Sequence, residues 1–274
     1  MDKLFVIGNP IKHSQSPLIH NYWINKYSIN AKYEKKELET NELPAIIKQL
    51  KLGKIKGFNV TLPFKKKVFE LVDIIDETAR KSLAVNTIYI KNGKAVGTNT
   101  DGIGFLESLK KDLAFKLRPK ANIFCIGAGG AAYGIISELI KLKPNRILIS
   151  NRTKSSALKL KNHFTSYSKL IIDIKPWGFQ PDEQTDLLIN TSTYGMNSSD
   201  TLCFNLDLLS KKTFVYDIIY NPRTTALLKK ASCKGIQHSN GMYMLIRQAA
   251  ESFRKWFGVD LSKEDIIGAK KLLK

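Results

Sequence analysis

The chain has 274 residues, 43% of them hydrophobic, and carries 44 lysines and arginines against 24 acidic residues, a formal charge of +20. That length suits two domains and that hydrophobic share can bury a core. No apolar run approaches the roughly 18 residues of a membrane span, and the opening MDKLFVIGNP lacks the long apolar core of a signal peptide. Only seven of the basic residues are arginines, and the lysines are spread over the whole length. The charge therefore reads as a solvated surface able to draw in anionic small molecules, not as the footprint of a specific nucleic-acid partner. Cys125, Cys203 and Cys233 have no metal-ligand spacing, and an odd number closes no disulfide framework. A cytoplasmic, soluble chain without a bound metal and without a membrane partner is the expectation.

In chain order, LFVIG (4–8) reads as a strand and is followed by an amphipathic helix from Pro17 to about Tyr27, with Ser16 placed to cap it. A strand over 31–38, a helix over 41–51 and a short strand GFNV (57–60) come next. In FNVTLPFKKK, Pro63 suits the first turn of a helix whose apolar stripe is Phe64, Val68, Leu71 and Val72. Lys66 falls opposite that stripe and is solvated; Lys65 and Lys67 flank it, and the spacing does not choose between them. After a helical stretch near 76–83, Asn92-Gly93 between two extended runs signals a hairpin. The pattern is helical again from Asp101 to about Leu113.

From Ala121 the register changes. NIFCIG is a continuous apolar strand, and RILISN, LIID, DLLIN and FVYDI are further short buried strands, as in a parallel sheet covered on both faces. A last helical stretch runs from Gly241 to about Phe257. The expected fold is α/β in two domains. Residues 1–102 form an N-terminal α/β substrate domain, and residues 103–238 a Rossmann-like, doubly wound parallel-sheet domain for a dinucleotide. The C-terminal helices, 239–274, pack back on the first.

Gly127-Ala128-Gly129-Gly130-Ala131 follows a strand and opens a helix, so its backbone N–H groups can approach a pyrophosphate at the helix N-terminus. A second strand about 20 residues on strengthens that reading. Its end carries Asn151-Arg152-Thr153-Lys154, with no carboxylate to accept from a ribose 2′-OH, which favours the 2′-phosphate of NADP(H). In the first domain small polar residues recur at the ends of elements. Ser14 and Ser16 precede a helix, Asn59 and Thr61 follow a strand, Asn86 precedes one, and Asp101 ends the hairpin. Singly they are caps and turn residues. Together, beside a nicotinamide domain, they suit a pocket for a small polyhydroxylated acid.

GNPIKHSQSPLIHN, NVTLPFK, VNT, GTNTDG, GAGGAA, NRT, NTSTYGM, YDIIYNP and GMYMLIRQAA occur in this order over nearly the whole chain. The combination resembles the shikimate dehydrogenase family. The resemblance implies NADPH-dependent, reversible reduction of 3-dehydroshikimate to shikimate in the shikimate pathway of aromatic amino-acid biosynthesis. It implies Lys65 and Asp101 as the catalytic pair, which decides between the lysines. Ser14, Ser16 and Tyr220 match positions holding the substrate carboxylate, and Asn59, Thr61, Asn86, Asp101 and Gln248 match those around its ring. For the cofactor it implies the glycine loop, Asn151, the Arg152–Thr153 clamp with Lys154, Thr191, Ser192, Ile218, Gly241, and Met244 against the nicotinamide. The family often places an arginine three residues after that threonine, where this chain has Ser156. Two rival readings are a quinate/shikimate dehydrogenase of broader substrate and cofactor use, and a basic nucleic-acid or anionic-surface binder. The expected assembly is a monomer or homodimer.

Overall fold

Charged and apolar runs alternate along the chain, and strand and helix alternate with them. The computed structural model describes residues 1–166, 170–197, 199–200 and 203–273. The first elements are β1 (Asp2–Gly8), α1 (Ser16–Lys26), β2 (Ala31–Glu37), α2 (Leu43–Lys51), β3 (Gly57–Val60), α3 (Lys65–Phe69), β4 (Ile74–Ile75), α4 (Glu77–Ser82), β5 (Thr87–Lys91), β6 (Lys94–Thr98) and α5 (Asp101–Glu107). There follow β7 (Asn122–Ile126), α6 (Gly130–Ile140), β8 (Arg146–Ser150), α7 (Lys154–Thr165), β9 (Ile171–Lys175), β10 (Leu187–Asn190), β11 (Phe214–Asp217), α8 (Ala226–Cys233), β12 (Gln237–Ser239), α9 (Met242–Phe257) and α10 (Lys263–Leu272). None of the helices described is long and apolar enough to cross a membrane.

The elements form two units, Met1–Gly104 with Leu245–Lys274, and Phe105–Met244. These limits differ from 102/103 and 238/239. Residues 239–244 go with the second unit because β12 hydrogen-bonds to β11 and Met244 lies in the core cluster of that sheet.

In the first unit the sheet order is β2-β1-β3-β5-β6-β4. β1 runs parallel to β2 and β3, whereas β5 is antiparallel to β3 and β6, so the sheet is mixed. The hairpin turn takes φ of 51° at Asn92 and 73° at Gly93, the twist that two-residue hairpins favour. β2 is an edge strand dense in Lys and Glu, which discourages pairing with another chain. β3 is buried throughout and lies between β1 and β5, where Phe58 and Val60 join the cluster of Ile46, Ile47, Leu50 and Val68 beneath α2 and α3. The C-terminal segment is tied to this sheet: the indole N–H of Trp256 donates to the Ile88 carbonyl at 2.9 Å, and that of Trp23 donates to the Asp265 carbonyl at 3.2 Å.

Two local expectations change. α1 begins at Ser16 and its N-cap is Gln15, so Ser16 is the first helical residue and not the cap; Pro17 fills a position whose N–H is not needed. α3 is only five residues long. Phe64 and Val68 are buried as expected, but Leu71 is 37% exposed, because the chain leaves the helix before the stripe reaches it.

In the second unit the six strands among the described residues are all parallel, in the order β12-β11-β10-β7-β8-β9. Counted from β7 this is 3-2-1-4-5-6 read from the β9 edge, the arrangement of dinucleotide-binding sheets. The reversal of winding falls between β7 and β10. β10 and β11 are buried along their whole length, and helices α6 and α7 bury Ile135, Ile136, Leu139, Ala157 and Leu160 against one face.

Candidate active site and dinucleotide site

In the first unit, α3 starts at Lys65 and α5 starts at Asp101. The Lys65 ammonium donates to Asp101 Oδ2 at 2.7 Å, with both side chains partly shielded, 21% and 11% exposed. The other carboxylate oxygen accepts from Asn86 Nδ2 at 2.8 Å, and the Asp101 backbone N–H donates to Asn99 Oδ1 at 3.0 Å. Asp101 is thus held from two sides, and its second oxygen is left for the lysine. Lys66 and Lys67 are exposed.

Asn86 is held in turn. Its Oδ1 accepts from the Thr100 backbone N–H at 2.9 Å and from Thr87 Oγ1 at 3.0 Å, and its Nδ2 also faces Gln248 Oε1 at 3.4 Å. Behind it lies Asn59, which sits inside β3 and not after it. Asn59 Oδ1 accepts from the Tyr33 hydroxyl at 2.6 Å. Asn59 Nδ2 donates to Thr87 Oγ1 at 2.9 Å and to Ser252 Oγ at 3.0 Å. The Ser252 and Thr87 hydroxyls are 2.8 Å apart. These groups are buried, so each hydrogen bond made inside offsets a desolvation cost that an unmade one would leave as a penalty.

Ser14 and Ser16 approach each other, the Ser16 N–H donating to Ser14 Oγ at 3.4 Å. Thr61 follows β3, its N–H bonded to the Ile7 carbonyl. Lys65, Asp101, Asn86 and Gln248 therefore share one hydrogen-bonded cluster, and Asn59 stands directly behind it. Sequence reasoning did not pick out Thr87, Thr100, Ser252 or Tyr33. The only available signal was a polar residue on an apolar face, such as Ser252 between Ala249 and Phe253 on α9.

His20, on α1, is fully buried; its ring stacks on Tyr33 at 4.3 Å between centroids, with Trp23 and Trp256 at 5.7 and 5.2 Å. Neither ring nitrogen has a hydrogen-bond partner among the described residues. Burial pushes its pKa from 6.5 down to about 3, so the ring is neutral and packs as an aromatic. It is a structural residue.

In the second unit, Gly127 has φ of +102° and lies so close to Thr191 and Ser192 that a Cβ there would meet them at 2.9–3.0 Å. The positive φ and the close approach both demand glycine. Gly129 is the N-cap of α6, and Gly130 and Ala131 are its first residues. A Cβ on Gly129 or Gly130 would meet nothing within 4 Å. Packing does not explain those two glycines; room for a ligand against the free N–H groups of the helix start does. The residues present fit a dinucleotide pyrophosphate.

Side chains from adjacent strand ends brace this loop. Asn151 Oδ1 accepts from the Ala128 N–H at 3.0 Å while its Nδ2 donates to the Thr153 carbonyl at 2.8 Å. The Thr191 hydroxyl donates to the Ile126 carbonyl at 2.9 Å. Arg152, Thr153 and Lys154 are exposed. Ile218 follows β11 and its carbonyl lies where a Cβ on Gly241 would be 1.9 Å away; Met244 is 8% exposed, in the core cluster. Tyr220 belongs to this unit, and burial raises its phenol pKa, which keeps it a neutral hydrogen-bond donor.

Asp217, at the end of β11, was not singled out from the sequence. It accepts from Asn190 Nδ2 at 3.0 Å, from the Ile219 N–H at 3.1 Å and from the Thr225 hydroxyl at 2.7 Å. Burial pushes its carboxyl from 3.8 up to about 6, against those hydrogen bonds. It braces the segments after β10 and β11. Cys125, also buried, is an inert thiol, its pKa pushed up to about 12 by burial.

Comparison with known proteins finds family models that fall almost wholly in the first unit, and relatives that match nearly the whole chain. Residues 6–88 match the shikimate dehydrogenase substrate binding domain family, and residues 241–269 match the shikimate 5'-dehydrogenase C-terminal domain family. The shikimate dehydrogenase (NADP(+)) of Pelagibacter ubique is 44% identical over 257 residues, 93% of this chain and 94% of that protein. The crystal structure of shikimate dehydrogenase from Aquifex aeolicus is 36% identical, with a TM-score of 0.87 over 98% of this chain and 97% of that one. The Thermus thermophilus shikimate 5-dehydrogenase, crystallised with NADP(H) and shikimate, is 28% identical with a TM-score of 0.87 over 99% of both chains. Identity sustained over nearly the whole length, together with the glycine loop and the lysine–aspartate cluster, leads to one conclusion: the chain belongs to the shikimate dehydrogenase family.

Proposed function

We propose that the chain is an NADP-dependent oxidoreductase that reduces 3-dehydroshikimate to shikimate, reversibly, in the cytoplasmic biosynthesis of aromatic amino acids. The observation that carries the chemistry is the Lys65–Asp101 pair at 2.7 Å, with Asn86 on the other carboxylate oxygen. The relatives named for this activity supply the substrate.

Bound NADPH supplies the hydride. As negative charge develops on the ketone oxygen, the Lys65 ammonium donates a hydrogen bond and then its proton to that oxygen, giving the alcohol. Asp101 accepts a hydrogen bond from the ammonium at 2.7 Å and aims it. The lysine then regains a proton from solvent. Because Asn86 and Asn99 fix Asp101 beforehand, little reorganisation is needed at the moment of reaction. On the first unit, Ser14 and Ser16 hold the substrate carboxylate through hydroxyls, and Thr61, Asn86 and Gln248 orient its ring hydroxyls; Asn59 supports them from inside β3. Gly127–Ala131, Asn151–Lys154, Thr191, Ser192, Ile218, Gly241 and Met244 hold the cofactor. Its 2′-phosphate falls to the cationic pair Arg152 and Lys154.

The test is NADPH oxidation with 3-dehydroshikimate by the wild type, with NADH and 3-dehydroquinate in parallel. Turnover restricted to NADPH and 3-dehydroshikimate is expected. Equal rates with NADH or 3-dehydroquinate would replace this reading by the broader quinate/shikimate activity.

A further inference from the structure

We propose that Trp177 is a cofactor-specificity residue, which holds the Arg152 guanidinium as a preformed receptor for the 2′-phosphate of the adenosine moiety. The inference rests on the NADPH reading above. Arg152 stands in the turn after β8 with an exposed side chain; free in solvent, such a side chain samples many rotamers, and ordering it on a ligand costs entropy.

Several contacts reduce that freedom. The backbone on either side of Arg152 is tied by the Asn151 hydrogen bonds to Ala128 and Thr153. The Ser150 hydroxyl donates to the Pro176 carbonyl at 2.7 Å, joining the end of β8 to the segment after β9 that carries Trp177. Trp177 is itself fixed, packed edge-to-face on Tyr194 at 5.2 Å and on Phe204 at 5.0 Å. The Arg152 Cζ lies 6.0 Å from the centroid of the Trp177 ring, within reach of the cation–π attraction.

This arrangement discriminates between ligands. A guanidinium held near a ring by cation–π attraction engages no N–H donor in that contact, so its N–H groups stay free to fork onto a phosphate. A ligand with a 2′-phosphate collects the benefit of an arginine already in place. One with a bare 2′-hydroxyl has little for that edge to bind, so the pre-ordering does not help it.

The experiment is calorimetric titration of the full-length chain with adenosine 2′,5′-bisphosphate and with AMP, for the wild type, Trp177→Leu and Trp177→Phe. The wild type is expected to prefer the bisphosphate. Trp177→Leu should lose about tenfold in bisphosphate affinity and change AMP affinity by less than about twofold, while Trp177→Phe, which keeps a ring, should stay within about threefold of wild type. A wild type that binds both ligands equally overturns the NADPH reading beneath the proposal. A wild type with the preference whose Trp177→Leu variant keeps it, or loses AMP binding equally, overturns the role of Trp177. So does a Trp177→Phe variant as weak as Trp177→Leu. Should the leucine variant not fold, the emission of Trp177, taken as wild type minus Trp177→Phe, gives the same decision: it should change on adding the bisphosphate and not on adding AMP, and no difference between the two ligands overturns the proposal.

Discussion

The two units solve the problem of positioning chemistry in opposite ways. In the first, the proposed reacting groups, Lys65 and Asp101, stand at the edge of a buried polar network. Lys65 is aimed by Asp101, Asp101 by Asn86, and Asn86 by Thr87 and Thr100, with Asn59 and Ser252 behind. In the second, the proposed ligand site is mostly backbone and exposed side chains: a glycine loop with open space over Gly129 and Gly130, and an exposed Arg152–Lys154 turn. The difference follows from what each must do. Proton donation, the role proposed for Lys65, needs one atom held at one place, and a satisfied buried network holds it there. Holding a pyrophosphate needs several N–H groups and room, which a helix start supplies with no side chain at all.

The largest effect tests the first half of the comparison. Lys65→Met should lower kcat by about 10²–10⁴-fold, the usual worth of a positioned acid, while the dissociation constant for NADPH, measured by fluorescence titration, stays near wild type. Equal loss of both would mean that the lysine site and the dinucleotide site are not separable.

The buried titratable groups of the two units should respond to pH in opposite directions. The folded-state pKa of Asp217 is raised from 3.8 to about 6. Folding then binds the proton more tightly, so the stability this gives is complete below the unfolded value and is lost as pH rises through about 6. Measured as wild type minus Asp217→Asn in urea unfolding, the loss between pH 4 and 7 should be about 2 kcal/mol, since each tenfold change in proton affinity corresponds to ~1.4 kcal/mol. A flat difference would mean that Asp217 ionises as freely in the folded protein as in the unfolded chain.

His20 gives the contrary sign. Its folded pKa is lowered from 6.5 to about 3, so its contribution is present above 6.5 and is lost as pH falls toward 3. Wild type minus His20→Phe should fall by about 2 kcal/mol between pH 6.5 and pH 5. An increase over that window would show that the imidazole has a partner that stabilises its charged form.

The smallest effect tests the glycine loop. Gly130→Ala adds a methyl that meets no protein atom at the first turn of α6, where alanine is favoured by up to about 1 kcal/mol over glycine. The melting temperature should hold or rise, while NADPH binding weakens by about tenfold because the methyl enters the ligand's space. Unchanged binding would mean that the pyrophosphate does not approach that glycine.

Local sequence was enough for the alternation of elements, the buried parallel strands, the Asn92-Gly93 hairpin and the glycine loop, because each is written in spacing or in one residue's conformational preference. Motif order alone brought the family into view. Local pattern did not reveal β4, β12, α7 and α8. β12 is the polar tripeptide Gln237–Ser239 at a sheet edge, and β4 is two residues long; neither is long enough to carry a period, and both exist because a neighbouring strand offers hydrogen bonds. α3 ended early and Ser16 entered its helix for a similar reason, since the surrounding chain, not local propensity, sets where a helix starts and stops. The polar network arises in the folded chain alone. Ser252 lies 193 residues from Asn59, and Arg152 meets Trp177 from the end of a different strand. Such pairs leave no periodic trace, because a hydrogen bond or a cation–π contact depends on where the folded backbone places two side chains, and sequence separation does not encode that distance.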